Sequence, residues 1–209
     1  GFKEQGFEGS LYIMASNAGT LTPETARRFP VRIMESGPTA GALMASHYGD
    51  ILNLPNILSY DTGGTTSKGA LIRDGTLAKS YEMETAQVYE FKKGSGLVVR
   101  APVVDMIEIG AGGGSISEVD DRGLLRVGPR SSGADPGPAC YAQGGIAPTL
   151  TDADLILGYL DSEFFLGGAM TLDRQAAECS IEKFVGTPLA LDLTAAAWGI
   201  HETINENCA

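Results

Sequence analysis

Over the first two thirds of the chain, apolar positions come in short runs that end on glycine, which predicts strands joined by tight corners. Residues 10–15 (SLYIMA) read as a strand running into the polar turn Ser16-Asn17-Ala18-Gly19. A helix follows from Ser36-Gly37-Pro38-Thr39-Ala40-Gly41 to about His47, and proline suits its start because the missing N–H has no partner there to lose. Gly41 and Ala45, four apart, give this helix a small-residue face. Residues 56–61 (NILSYD) read as a buried strand that stops at Gly63-Gly64, and 68–73 as the next. Asp74-Gly75 is a hairpin signal with 76–81 returning, so the two hairpins form an antiparallel meander with Asp61 at its first corner. Residues 103–109 (VVDMIEI) are a further strand, ending at Gly110-Ala111-Gly112-Gly113-Gly114-Ser115, and 116–119 with 124–127 form a hairpin around Asp121-Arg122-Gly123. Residues 128–145 are rich in Gly and Pro; such a length reads as a linker or an ordered functional loop, with Cys140 and Tyr141 arguing for order.

The last third changes period. Leu172, Ala176, Ala177, Ile181 and Phe184 repeat at helical spacing, as do Leu193, Ala196, Ala197, Ile200 and Ile204. Thr151-Asp152-Ala153-Asp154 reads as an N-cap box with Asp in place of the usual Glu or Gln. The final pattern runs almost to the last residue without a C-cap, which reads as a chain cut inside a larger protein. The segments expected are 1–50, a strand plus helix; 51–150, a glycine-cornered β meander; and 151–209, a helical segment. The fold class is α/β, a mixed sheet flanked by helices.

Charge and composition narrow the function classes. Fifteen Lys and Arg against 26 Asp and Glu give a net charge of −11, which argues against a nucleic-acid-binding face. No run reaches the roughly 18 apolar residues of a membrane span. Cys140, Cys179 and Cys208 are odd in number and far apart, which disfavours a zinc knuckle or disulfide framework and points to the cytoplasm. Glycine makes up 28 of 209 residues, near twice the usual ~7%. Its clusters between strand-like runs are places where backbone comes close to something.

Tyr60-Asp61-Thr62-Gly63-Gly64-Thr65-Thr66-Ser67-Lys68 is the most informative nonamer. A carboxylate ends a strand, two glycines let backbone N–H groups approach an anion, and two threonines add donors. The carboxylate can hold hydrated Mg²⁺, which keeps several waters and bridges phosphate oxygens. No Gly-Lys-Ser/Thr follows, so this is no Walker A loop. The same residues also suit a hairpin corner whose Asp caps a turn, and spacing alone does not separate the two readings. Gly110–Ser115 is a second candidate grip or a flexible turn; it lacks the dinucleotide fingerprint because Ser115 stands where glycine is wanted. His47 and His201 read as structural or surface residues, Cys140 as a buried thiol and Trp198 as core.

With Ser36-Gly37-Pro38, Asp61-Thr-Gly-Gly-Thr-Thr66 and Gly110-Ala-Gly-Gly-Gly-Ser-Ile116 in this order, the chain resembles the hydantoinase A/5-oxoprolinase (HyuA) family. The resemblance continues through the run from Val127 to Tyr141, Pro148-Thr-Leu-Thr-Asp-Ala153 and Phe165-Leu-Gly-Gly168, and extends from about Leu11 to Glu206. It implies the actin-like/sugar-kinase/Hsp70 ATPase (ribonuclease H-like) architecture, which holds ATP between two lobes with one phosphate hairpin from each. Asp61–Thr66 would be the second hairpin; the first, and a glycine-rich segment beyond the last helix, are not among these residues. By this resemblance Asp61 would hold Mg²⁺ and act in catalysis. Gly63, Gly64, Thr65 and Thr66, with Gly112, Gly113 and Gly114, would bind ATP.

The activity implied is ATP-dependent hydrolysis of a cyclic amide by an enzyme working with a HyuB-type partner subunit or domain. Related alternatives are a subunit of an ATP-dependent ketone (acetone or acetophenone) carboxylase, or a non-catalytic actin/Hsp70-like ATP-binding module. The turn Ser16-Asn17-Ala18-Gly19 departs from the two glycines usual in relatives.

Overall fold

Short strands and a few long helices follow from where the residues with special backbone freedom fall. The computed structural model describes residues 1–85 and 96–209; the stretch 86–95, within the predicted 51–150 meander, lies outside the described residues. The chain divides into two units, Gly1–Asp61 with Lys68–Ile107, and Thr62–Ser67 with Glu108–Ala209. The architecture is mixed α/β with antiparallel strand pairs.

In the first unit, β1 (Ile13–Met14) pairs antiparallel with β2 (Thr20–Leu21), a shorter strand than the six residues expected. The turn between them is a structural node. Ser16 is fully buried; its N–H donates to Arg32 O (2.8 Å), its hydroxyl accepts from Glu35 N–H (3.0 Å), and its carbonyl accepts from Val104 N–H (2.7 Å) and the Thr39 hydroxyl (3.2 Å). Helix α1 (Pro23–Arg28) is capped by the Thr22 hydroxyl. Helix α2 (Ser36–Leu52) ends on Asn53 in the left-handed region, and Gly49 lets Ile57 in: a Cβ there would lie 2.3 Å from the Ile57 Cδ1.

Strands β3 (Ile57–Thr62) and β4 (Ser67–Arg73) are neighbours in a sheet, and β5 (Thr76–Leu77) returns against β4 with Ile72 opposite Leu77. Asp74 and Gly75 both take positive φ, +50° and +70°, as a two-residue hairpin requires. The expected buried character of β3 does not hold: Leu58, Tyr60 and Asp61 are exposed. β6 (Lys79–Ser80), β7 (Met83–Thr85), β8 (Leu97–Val99) and β9 (Val103–Val104) complete this unit as the pairs β6·β9 and β7·β8. Ala42, Ala70 and Val104 form its small core.

The strand expected over 103–109 is broken in two, β9 and β10 (Ile107–Ile109), which belong to different sheets; Asp105 N–H, bonded to Ala78 O (2.9 Å), still continues the β6·β9 pairing. In the second unit β11 (Ser115–Val119) and β12 (Leu125–Ser131) form the expected hairpin, its turn held by Asp120 Oδ1 accepting from Arg122 and Leu124 N–H, both at 3.0 Å. Helices α3 (Leu150–Leu157), α4 (Arg174–Ile181), the short α5 (Thr187–Leu189) and α6 (Leu193–Cys208) pack around a core of Leu155, Ile181, Val185 and Ile200. A π turn, Glu182–Gly186, joins α4 to α5. Asp173 and Asp192 cap α4 and α6.

The cap of α3 is Thr149, two residues before the expected one. Asp152 closes a capping box as the third helical residue, so the shorter Asp reaches back in place of Glu. Trp198 is not core: it is 47% exposed and stacks with His201, itself stacked on Tyr159.

Candidate functional site

The glycines that the sequence places in two clusters lie together in the candidate site. Gly63–Thr66 form the corner between β3 and β4. Gly63, Gly64 and Thr65 are exposed, and Gly63 N–H closes the corner on Thr66 O at 2.9 Å. The buried Ser67 anchors its far side, the hydroxyl donating to Ala111 O at 2.8 Å.

The second cluster lies directly behind. Gly113 N–H donates to Gly63 O (3.0 Å) and Gly114 N–H to Gly64 O (2.6 Å). Backbone is so close to backbone that no side chain fits between. A Cβ on Gly112 would stand 2.7 Å from Gly63 O and 2.8 Å from the Gly64 carbonyl carbon, and one on Gly114 2.9 Å from Gly64 O. Gly112 N–H is likewise taken, by the Ser115 hydroxyl at 2.9 Å. These three N–H groups are all donated within the chain, and the second cluster backs the first.

This backing fixes where the corner's own N–H groups point. In a trans peptide the C=O of one residue and the N–H of the next lie on opposite sides. The described cis bonds are Gly128-Pro129 and Asp135-Pro136, so the corner is trans throughout. Gly63 O and Gly64 O are drawn back onto Gly113 and Gly114, so the N–H groups of Gly64 and Thr65 face away, on the exposed side. Among the described residues nothing accepts from either. Two consecutive outward N–H groups are an anion-binding concavity in its simplest form.

The scaffold behind is fixed in turn. Ser131 and Ser132, at the end of β12, flank the cluster: Ser132 N–H donates to Gly114 O (2.8 Å), and the Ser131 hydroxyl to Gly64 O (3.4 Å). The Thr65 hydroxyl reaches the Ser131 hydroxyl at 3.5 Å, the limit of a hydrogen bond. Thr151 at the start of α3 donates both N–H and hydroxyl to Gly113 O, each at 2.8 Å. The fully buried Asp152 then ties the Gly- and Pro-rich loop to the helix. Its carboxylate accepts from Cys140 N–H (2.7 Å), Ala139 N–H (3.2 Å), Thr149 N–H (2.8 Å) and the Thr149 hydroxyl (2.9 Å). That loop is therefore ordered around residues 139–141, as Cys140 and Tyr141 indicated.

Cys140 has no exposure, and burial, with the Asp152 carboxylate beside it, pushes its thiol far up; it is no nucleophile. His201 and Asp154 do pair, Nδ1 to Oδ1 at 2.9 Å, joining α6 to α3. Burial raises the Asp154 carboxyl above its ordinary value, and the hydrogen bond to His201 opposes that rise.

Asp61, two residues before the corner in sequence, is exposed, and its side chain has neither hydrogen bond nor ion pair among the described residues. No group of three or more His, Cys, Asp or Glu that could hold a metal ion gathers among the described residues. A single free carboxylate fits Mg²⁺, which takes one or two protein carboxylates and fills its other positions with water and phosphate oxygens. Sequence reasoning gave no role to Ser67, Ser131, Ser132 or Thr151, although Ser67 lies inside Tyr60–Lys68, Ser131 and Ser132 inside Val127–Tyr141 and Thr151 inside Pro148–Ala153.

The chain is similar to known proteins over nearly its whole length. The alpha subunit of caprolactamase from Pseudomonas jessenii is 37% identical over 98% of this chain, and the structure of that ATP-dependent enzyme superposes with a TM-score of 0.71. Nucleotide-free acetone carboxylase, from a study of ATP-dependent acetone carboxylation, superposes with a TM-score of 0.80 at 32% identity, over 99% of this chain and 28% of that one. The 5-oxoprolinase of Saccharomyces cerevisiae is 40% identical over 62% of this chain and 9% of its own length. This chain thus spans less than a third of the length of these relatives. The hydantoinase/oxoprolinase family pattern matches residues 1–209 in full, and the chain belongs to that family.

Proposed function

We propose that this chain supplies part of the ATP site of an ATP-dependent cyclic-amide hydrolase of the hydantoinase/5-oxoprolinase type. The observation that carries the reading is the corner at Gly63–Thr66, where two adjacent N–H groups are turned outward by hydrogen bonds behind them. In this reading Gly64 and Thr65 bind phosphate oxygens through backbone N–H, while Gly63 and Thr66 shape the corner. Gly112, Gly113 and Gly114 serve ATP indirectly, by holding the corner's carbonyls. Asp61 holds Mg²⁺, directly or through water, and so neutralises phosphate charge in catalysis. ATP would supply a phosphoryl group to the ring carbonyl oxygen, which activates the carbonyl carbon to water; the protonated ring nitrogen then leaves as the amine, and hydrolysis of the resulting acyl phosphate releases phosphate. The protein's share of such a transfer is mostly positioning and charge neutralisation.

The actin-like/sugar-kinase/Hsp70 lobe is the fold we assign to this role. A HyuB-type partner subunit or domain is the expected companion, in keeping with relatives named as alpha, beta and gamma subunits. Three free cysteines suit a cytoplasmic protein. A second reading, a ketone carboxylase subunit, is favoured by the higher TM-score to acetone carboxylase, 0.80 against 0.71. Phosphate release by the intact protein with its partner separates them. The hydrolase reading expects ATP turnover stimulated by hydantoin, 5-oxoproline or caprolactam with ring opening. Stimulation only by a ketone with bicarbonate favours the carboxylase, and turnover indifferent to both favours a non-catalytic ATP-binding module.

A further inference from the structure

The Gly113–Gly114 peptide has its carbonyl on one side and its N–H on the other, and both ends are held. Gly113 O accepts twice from Thr151, from N–H and hydroxyl at 2.8 Å each, so both oxygen lone pairs are engaged. The Gly114 N–H, opposite, donates to Gly64 O at 2.6 Å. The Gly64–Thr65 peptide comes next in line: its carbonyl is the acceptor and its N–H, on Thr65, faces outward. Thr151 therefore stands at the head of a series of two peptide units that ends at the exposed side of the corner. Hydrogen bonds in series polarise one another, so the donor at one end strengthens the donor at the other.

Thr151 is only 8% exposed, and its hydroxyl sits so close to Gly113 that a Cβ on that glycine would lie 2.9 Å from Oγ1. The hydroxyl is not needed to start the helix. Thr149 is the cap of α3, and Thr151 N–H already reaches Gly113 O. A valine would keep shape and N–H, and lose only the second donor.

We propose that Thr151 is a positioning residue for nucleotide phosphate, acting through Gly113–Gly114 to aim and strengthen the Thr65 N–H; this rests on the phosphate-binding reading of the corner. The test measures Mg·ATP affinity by calorimetry on the intact protein, with thermal melting alongside. Thr151→Val is expected to weaken binding about three- to tenfold, the loss of one hydrogen bond's net worth, and Thr151→Ser to restore it to within about twofold. Wild-type affinity in Thr151→Val overturns the proposal. Gly64→Val in the same assay tells the two readings apart. If it destroys binding while Thr151→Val does not, the corner stands and the role of Thr151 falls. If it binds as wild type, the corner reading falls and takes this proposal with it. Should Thr151→Val fail to fold, Thr151→Ala against Thr151→Ser is read by the same criteria: weakened binding in the alanine variant alone supports the role, and equal binding in both overturns it.

Discussion

Glycine does two different jobs within one site, and substitution separates them. Gly64 has open space where a Cβ would go and no positive φ, so a side chain there leaves the fold alone and obstructs only what approaches from outside. Gly112 has backbone at 2.7–2.9 Å in the same position, so even a methyl group must push the corner off its support. Gly112→Ala is expected to lower unfolding stability of the intact protein by about 1–3 kcal/mol, the range for overpacking. Gly64→Ala should stay within about 0.5 kcal/mol of wild type. Urea unfolding of the two variants checks this, and equal losses would contradict it. The cysteines offer a second residue-scale check. Iodoacetamide on the native protein should label exposed Cys179 and spare buried Cys140, read by peptide mass mapping. The glycine clusters were legible in sequence as places of close approach. Composition could not tell that Gly112–Gly114 approach another stretch of backbone while Gly64 faces outward, because both need the same missing Cβ.

At the scale of elements, α3 is the piece on which the loop at residues 139–141 and the second glycine cluster both depend. Asp152 Oδ1 and Oδ2 together hold four donors in a fully buried place. Asp152→Asn turns an NH₂ group toward donors and removes the charge, so it should cost about 2–4 kcal/mol in urea unfolding, since charge-assisted bonds contribute about 1.5–3 kcal/mol each. Sequence located this helix but not its cap, for a definite reason. Thr149 with Asp152 and Thr151 with Asp154 are both a Thr followed three residues later by Asp. Only the tertiary partner of Thr151, Gly113 O, decides between them.

The contact of α3 with α6 through Asp154 and His201 carries a pH signature. Asp154 has its folded value raised by burial, so its contribution to folding is full below the ordinary carboxylate range and is lost as pH rises through the folded value. His201→Leu removes the hydrogen bond that opposes the rise, which raises the folded value further. Its urea midpoint should then fall increasingly behind wild type as pH rises from the ordinary carboxylate range, about 4, through the folded value. A gap that is constant with pH would contradict this account of the pair.

At the scale of the whole molecule, the two glycine clusters, three serines and Thr151 act as one layered support whose outer surface is two backbone N–H groups. A net charge of −11 repels a polyanionic nucleotide at long range, so on the function proposed above affinity would come from local donors and from a cation held by Asp61. Asp61→Asn is accordingly expected to reduce ATP turnover of the intact protein by about 100-fold or more without altering its melting temperature, since the side chain is exposed and unbonded. Residues 1–209 alone should bind Mg·ATP weakly and not hydrolyse it, because relatives that use ATP are more than three times as long. What the sequence conveyed at this scale was the family and the order of its motifs. The relay from Thr151 to Thr65 links residues far apart in the chain, and no local pattern announces it. On the function proposed above, the Gly63–Thr66 corner meets phosphate through its backbone. Calorimetric titration of Mg·ATP into the intact wild-type protein and its Gly64→Val variant tests it most directly. Affinity reduced at least about tenfold with melting unchanged is the predicted result; equal affinity in a folded variant would contradict it.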